Sequence, residues 1–498
     1  MHGASGFALL LLLPACREAP VPPAPSTPNS LRIAISDDLP SLDPNRVVDT
    51  VSEAVLFNVY EPLVGFDDKL GIRMMLAESW EHPAPERWRF RLRRGVRFHD
   101  GTPLTAELVR NSLLAVSRAA ELEASEFLSQ VAEIVVDGEL TLDLVTREPR
   151  AILPSLPVVF VTKPNSAGSF PPSVGTGPYR IARVRQAGEI ELERAAGYWG
   201  ARPEFERVTF VPVEDPKQRA SLLKRGLADI VYEMAPGLVG ELPDDAQMLR
   251  SPGVALFYAG FNLRERPGNP LRTLAVRRAL HLAIDRDRLV TEALHGLGVA
   301  AGQPAPPAVF GFDPGLRAPR ANPAEARELL RQSGHAHLTI AIDASPDNAA
   351  AARLMAEDWR AVGVQASVSE WPRDEVYVRA EKGASQVFVV GWSFSSGEAS
   401  EFLEYCLHSQ TGRLGFNNLG RYSNKRVDEI AARNTTILDT VERQRRLQGA
   451  MRLLMEELPV LPLYVADDVY AVRRGLRFRP RADGEIWLPD VRSVRPEP

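Results

Sequence analysis

Ser221 and Lys224 stand three residues apart in Ser221-Leu222-Leu223-Lys224, and Tyr422-Ser423-Asn424 offers a tyrosine two residues before an asparagine. A lysine one helical turn from a serine can take its proton, which is the chemistry of a penicillin-recognising serine hydrolase. That chemistry also needs a Lys-Thr-Gly strand along the pocket, and the chain contains no such tripeptide. Gly296-Leu297-Gly298-Val299-Ala300-Ala301 fits a loose dinucleotide fingerprint, but it follows a helical pattern where the fingerprint requires a strand. His335 and His337, two apart in a turn, read as solvated rather than as metal ligands. No phosphate-binding GxxxxGK loop is present. The residues therefore predict no enzyme, no cofactor and no metal.

A binding reading is better supported. Val387 to Val390 is a continuous apolar run, as in a strand covered on both faces, and it ends in Gly391-Trp392. Ligands in α/β lobes sit at the carboxyl ends of strands. The following segment, Ser393-Phe394-Ser395 through Glu398, is then the candidate ligand loop, with Trp392 as a broad apolar wall and Gly391 allowing close backbone approach.

The elements that must position this loop are legible as alternating helix and strand patterns. "LRIAIS" alternates Leu31, Ile33 and Ile35 as a first strand. "VSEAVLFNVYEPLVGF" reads as an amphipathic helix stopped near Pro62. In "RWRFRLRR", Trp88, Phe90 and Leu92 alternate with arginines, giving a half-buried strand with a basic outer face. Val276, Leu280, Ala283 and Ile284 form one helical stripe. "NPAEARELLRQSG" predicts a helix capped by Asn322, with Pro323 in its first turn and Gly334 beyond its end.

With 498 residues the chain exceeds one ordinary core. It is 45% hydrophobic and 25% charged, with a net charge of −5, so nothing in the balance points to nucleic acid. Two cysteines cannot build a disulfide framework. One of them, Cys16, directly follows the apolar run Phe7–Leu13 and precedes "REAPVPPAPSTPNS". This stretch resembles a bacterial lipoprotein signal, with residues 1–15 removed and Cys16 carrying the lipid. Residues 16–30 then form a proline-rich tether of about 40 Å, at roughly 3.1 Å per residue.

The order of motifs is also similar to a known family. "SLDPN", "NVYEPLVGFDD", "WRFRLRRGVRFHDGTPLTAELVRNSL", "GTGPYRI", "VRRALHLAIDRDRLV" and "GW" before "FNNLGRYSNKRVDEI" occur in sequence. Together they resemble family 5 of the bacterial extracytoplasmic solute-binding proteins, which serve dipeptide, oligopeptide and nickel ABC importers. The resemblance implies an α/β, two-lobed periplasmic-binding-protein fold of the large type II form. Its first lobe would comprise residues 31–65, 170–258 and 466–498, with an inserted subdomain at 66–169. The second lobe would be 259–465.

It further implies hinges at "FYAGFN" and "VLPLYVADD", from which Tyr258, Phe261 and Tyr464 would close on the ligand. Asp38 falls at an acidic family position near the ligand. In peptide-binding members an aspartate lies three residues after the tryptophan and pairs with the ligand's α-ammonium; Ser395 stands there in this chain. Glu398 and Asp38 are the candidates to replace it. The implied function is capture of a solute, foremost a peptide, for an ABC permease and its ATPase subunits. The alternative ligands are a modified peptide, an oligosaccharide or a metal chelate. The expected form is a monomer, lipid-anchored on the periplasmic side of a bacterial membrane.

With its native leader, the protein is expected to partition into detergent, and Cys16→Ser should release or mislocalise it. Recovery of unacylated wild type from the cytoplasm would count against the anchor.

Overall fold

A computed structural model of the chain describes residues 29–46, 50–119, 121–165, 173–411 and 414–494. The signal sequence, Cys16 and nearly all of the tether lie outside the described residues.

Two long antiparallel strands, Ala246–Phe261 and Val460–Arg473, run side by side through the middle of the molecule. One end of this ribbon continues through Ile230–Val231 into Ser30–Ile35, Arg207–Pro212, Ile190–Arg194 and Tyr179–Val184. The other end continues through Val387–Ser393 into Thr339–Ala344 and Gln365–Glu370, with Gly298–Ala300 on the flank. Among the described residues eleven strands thus make one sheet. The parallel pairs Ser30–Ile35 with Arg207–Pro212, and Thr339–Ala344 with Gln365–Glu370, lie in different halves. Each half has its own α/β core, so the fold has two lobes joined by crossover strands.

The first lobe's core gathers Ile33, Ile35, Leu192, Phe210 and Tyr232, closed by the C-terminal Ile486, Trp487 and Leu488. In the second lobe Trp359 is fully buried, donating its indole N–H to the Leu280 carbonyl at 3.0 Å. The stripe Val276, Leu280, Ala283 and Ile284 packs there too. Asn322 caps the helix Pro323–Gln332 through the Glu325 N–H, and Gly334 adopts φ +75° after it.

An inserted unit hangs on the first lobe. Its four-stranded antiparallel sheet, from Ala77–Ala84 to Thr141–Thr146, packs on the helix Ala106–Arg118. The basic face of the strand Arg87–Leu92 is neutralised within this sheet. Buried Asp143 accepts from Arg87 at 2.6 Å and from Arg89 at 2.7 Å, and Arg91 pairs with Glu81. The two arginines hold the Asp143 carboxyl below its ordinary range.

One element differs from its sequence pattern. The helix begun at Thr50 stops at Leu56, well short of Pro62. The cause is Asn58, which is fully buried. Its side-chain amide donates to the carbonyls of Ala54 and Ile486, and its side-chain oxygen accepts from Leu488 N–H. The backbone turns there so that the C-terminal segment can dock.

The central ribbon loses register between Pro252 and Leu256, where it passes from one lobe's neighbours to the other's. A β-carbon on Gly253 would lie 2.4 Å from the Ala466 carbonyl oxygen. Gly253→Ala should therefore destabilise the protein by about 1–3 kcal/mol, the usual cost of overpacking. Denaturant titration measures this, and an unchanged midpoint would show that the bulge is not tightly packed.

Candidate functional site

The strand Val387–Ser393 is buried through Val390 and emerges between the lobes at Trp392. Trp392 is half-buried, with its ring 6.4 Å from Phe402 and 6.1 Å from Tyr405. Its indole nitrogen is sealed from solvent without a hydrogen-bond partner. Gly391 makes a close approach, but to protein: an added β-carbon would lie 3.0 Å from the Phe257 ring.

Beyond the strand, two cavities flank the segment 393–405. The larger, about 560 Å³, has one wall from the inserted unit, including Glu126, Gln130, Arg147 and Arg150. Its other wall carries Glu398, Glu401, Glu404, Tyr405 and Thr435. The walls meet where Ala151 N–H donates to the Thr435 carbonyl at 2.8 Å. The smaller cavity, about 30 Å³, lies between Ser393-Phe394-Ser395 and first-lobe residues including Glu53, Phe57, Phe66 and Glu485.

The carboxylates of the large cavity differ in state. Glu398 is buried against Arg443 and accepts from Ser400 Oγ at 3.3 Å. Burial lowers the Arg443 guanidinium to about 10, and it lies over the Phe310 ring at 5.0 Å. Glu401 accepts from the backbone N–H and hydroxyl of Ser396, at 2.9 and 2.6 Å, yet burial pushes its carboxyl up to about 7. Glu404 is also pushed up to about 7 by burial; Arg150 across the cavity opposes the rise, while Glu401 and Glu126 add to it. Its Oε1 is sealed and has no hydrogen-bond partner. The cavity thus presents arginines on one wall and desolvated carboxyls on the other.

The model of the bacterial extracellular solute-binding proteins, family 5 (middle region), matches residues 71–413. The chain belongs to that family. It is 28% identical over 471 residues to the glutathione-binding protein GsiB of Escherichia coli K12, with 89% of this chain and 90% of that one covered. Its fold is similar to that of DppA from Helicobacter pylori, solved with the peptide STSA (TM-score 0.77, 19% identity, 94% and 98% of the chains covered). It is equally similar to NikA from Staphylococcus aureus, solved with Ni(L-His)2 (TM-score 0.77, 19% identity, 93% and 100% covered).

In this family 5 protein the sequence-derived residues divide. Ser393, Phe394 and Ser395 line the small cavity, and Glu398 lines the large one. Trp392 lines neither; its ring is next to that of Tyr405, which lines the large cavity. Asp38 also lines neither: it is exposed, and its side chain lies against Gly188 within the first lobe. Tyr258, Phe261 and Tyr464 are core residues, each at most 2% exposed. Tyr258 meets Phe402 edge-on, and Tyr464 stacks on Phe257 at 5.0 Å. The small void beside Tyr258 and Phe261, about 10 Å³, is too small for a solute.

Of the residues considered for catalysis, Ser221 donates to the Gln218 carbonyl, Lys224 pairs with Glu241, and Tyr422 bonds Glu457 at 2.5 Å. They share no site. Among the described residues no group of three or more His, Cys, Asp or Glu is placed to hold a metal.

Sequence reasoning missed Glu401, Glu404, Glu53 and Glu485. The signal for the first two was present: Glu398, Glu401 and Glu404 recur every third residue, with Ala399, Ser400, Phe402 and Leu403 between them.

The state of Glu401 sets a pH dependence. Between its ordinary pKa, near 4.5, and about 7, the native carboxyl keeps a proton that the unfolded chain has lost. Its contribution to stability therefore falls as pH rises through that window. Glu401→Gln should melt close to wild type at pH 4 and above it at pH 8. A melting difference that is the same at both pH values would refute the assignment.

Proposed function

We propose that the protein is the solute-capturing receptor of an ABC importer and that its ligands are peptides. The observation that carries this reading is the large interlobe cavity, with Arg147 and Arg150 on one wall and Glu401 and Glu404 on the other. Its volume of about 560 Å³ is within the usual range of ligand pockets, about 300–1,000 Å³. Arg147 and Arg150 suit a carboxylate, and Glu401 and Glu404, which make no ion pair among the described residues, suit an amine. A short peptide carries both groups on one molecule. Family membership supports the transport role, and the DppA–peptide complex shows that the same fold holds a peptide.

In this reading the lobes close on the ligand by bending the central ribbon, and the closed form delivers it to a permease. The receptor is a monomer held at the periplasmic face of a bacterial membrane by lipid on Cys16. The lobe limits given by the sequence, with the insertion at 66–169, define the bodies that move. A modified peptide is the second reading, favoured by the similarity to GsiB, whose name assigns it glutathione.

Native mass spectrometry of the purified protein, followed by calorimetry with short peptides and with glutathione, tests the proposal. A binding peptide should raise the melting temperature by mass action and compact the protein in small-angle scattering. Tight binding of an oligosaccharide or a metal chelate, with no response to any peptide or to glutathione, would overturn it.

A further inference from the structure

Residues 435–439 of the second lobe cross to the inserted unit and engage it in two ways. The Thr435 carbonyl accepts from Ala151 N–H at 2.8 Å. Leu438, three residues on, packs against the apolar core of the unit. Ala151 leads directly into Ile152, Leu153 and Leu156, which belong to that core. The contact also borders the large cavity, whose lining includes Ala151, Pro154 and Ser155 on one side and Ala431, Ala432 and Thr435 on the other.

This segment is fixed at both ends. Thr436 Oγ1 donates to the Arg433 carbonyl at 2.8 Å and Ile437 N–H to the Asn434 carbonyl at 3.2 Å, which closes the end of the helix Lys425–Asn434. Asp439 then caps the helix Thr440–Glu457, its carboxylate accepting from Glu442 N–H at 2.8 Å. The first turns of that helix hold the second lobe's cavity wall. Arg443 pairs with buried Glu398, and Gln444 accepts from Gly311 N–H at 2.9 Å. A shift of residues 435–439 is therefore passed through the helix to Glu398. One backbone hydrogen bond and one half-buried leucine each contribute modestly. Together they suffice to bias a two-lobe equilibrium on the order of ten-fold without locking it.

We propose that residues 435–439 are a clasp, which holds the inserted unit to the second lobe and so sets how much of the protein is closed before a solute binds. The inference uses the lobe motion of the proposed function but does not need the ligand to be a peptide. The clasp recognises no ligand, because its bonds join two parts of the chain. A solute that binds the closed form does so with an apparent affinity proportional to the closed fraction. The clasp thus tunes affinity for every solute by the same factor and leaves selectivity unchanged.

Paired spin labels on the full chain test this. Glu139→Cys on the inserted unit and Lys382→Cys on the second lobe are exposed positions, and Cys406 is buried. With Cys16→Ser, and with solute stripped by denaturation and refolding, this parent should show a short-distance population. Leu438→Asp should move it to longer separations. Leu438→Ala, the variant to read if the aspartate form fails to melt cooperatively, should move it the same way by less. Identical distance distributions in parent and variants would overturn the clasp, as would a parent with no short-distance population. Calorimetry with glutathione and two short peptides is the second arm. Leu438→Ala should weaken each ligand that binds by one common factor, about three- to ten-fold. A loss confined to one ligand would make Leu438 a ligand contact and overturn the proposal. If none of them binds, the peptide reading falls, and the distance measurement still decides the clasp.

Discussion

The pairing of Ala246–Phe261 with Val460–Arg473 is the contact through which each lobe is tied to the other. A ladder of this length resists being pulled apart, because every broken rung exposes a backbone donor and acceptor. It bends more easily than it separates, and it bends best where register is already lost. The interruption at Pro252–Leu256 is such a place, with Gly253 against the Ala466 carbonyl and Arg250 bound to Asp467 at 3.1 Å. Away from the ribbon, the inserted unit and the second lobe also meet where Ala151 N–H donates to the Thr435 carbonyl.

The elements of this fold were legible because their signals are local. The alternation in Leu31, Ile33 and Ile35, the Asn322–Pro323–Gly334 punctuation and the apolar run Val387–Val390 each report a neighbourhood of a few residues. Asn58 shows where that stops working. Nothing near it in sequence says that its amide will bind Ile486 and Leu488, more than four hundred residues away, so the helix pattern continues past the point where the helix ends. Tertiary hydrogen bonds overrode helical periodicity.

The site was legible in outline and not in detail. The position of the ligand loop followed from the strand that delivers it, and Ser393, Phe394, Ser395 and Glu398 do line cavities. Aromatic residues in crossover strands carry no mark of whether they face a cleft or a core. Tyr258, Phe261 and Tyr464 face cores, because both strands are covered by helices and neighbouring strands at those positions. The acidic residues posed the reverse problem. A glutamate every third residue reads as a solvated helical face, and only the closure of the inserted unit over that face makes Glu401 and Glu404 interior groups.

That closure explains why carboxyls without counter-charge persist here. An uncompensated buried carboxyl weakens the native state, and a chain selected for stability alone would pair or remove it. The protein does pair others: Asp143 holds two arginines, and Glu398 holds Arg443. Glu401, Glu404 and Glu485 have no such partner, and all three line the interlobe cavities. Groups left in this state raise the free energy of the unliganded protein in this conformation. In the peptide reading, a ligand amine enclosed against them would offset that cost, so part of its binding energy would be expressed as preference for the closed form. For a receptor that must signal occupancy to a membrane partner through its shape, that distribution of energy separates the loaded state from the empty one.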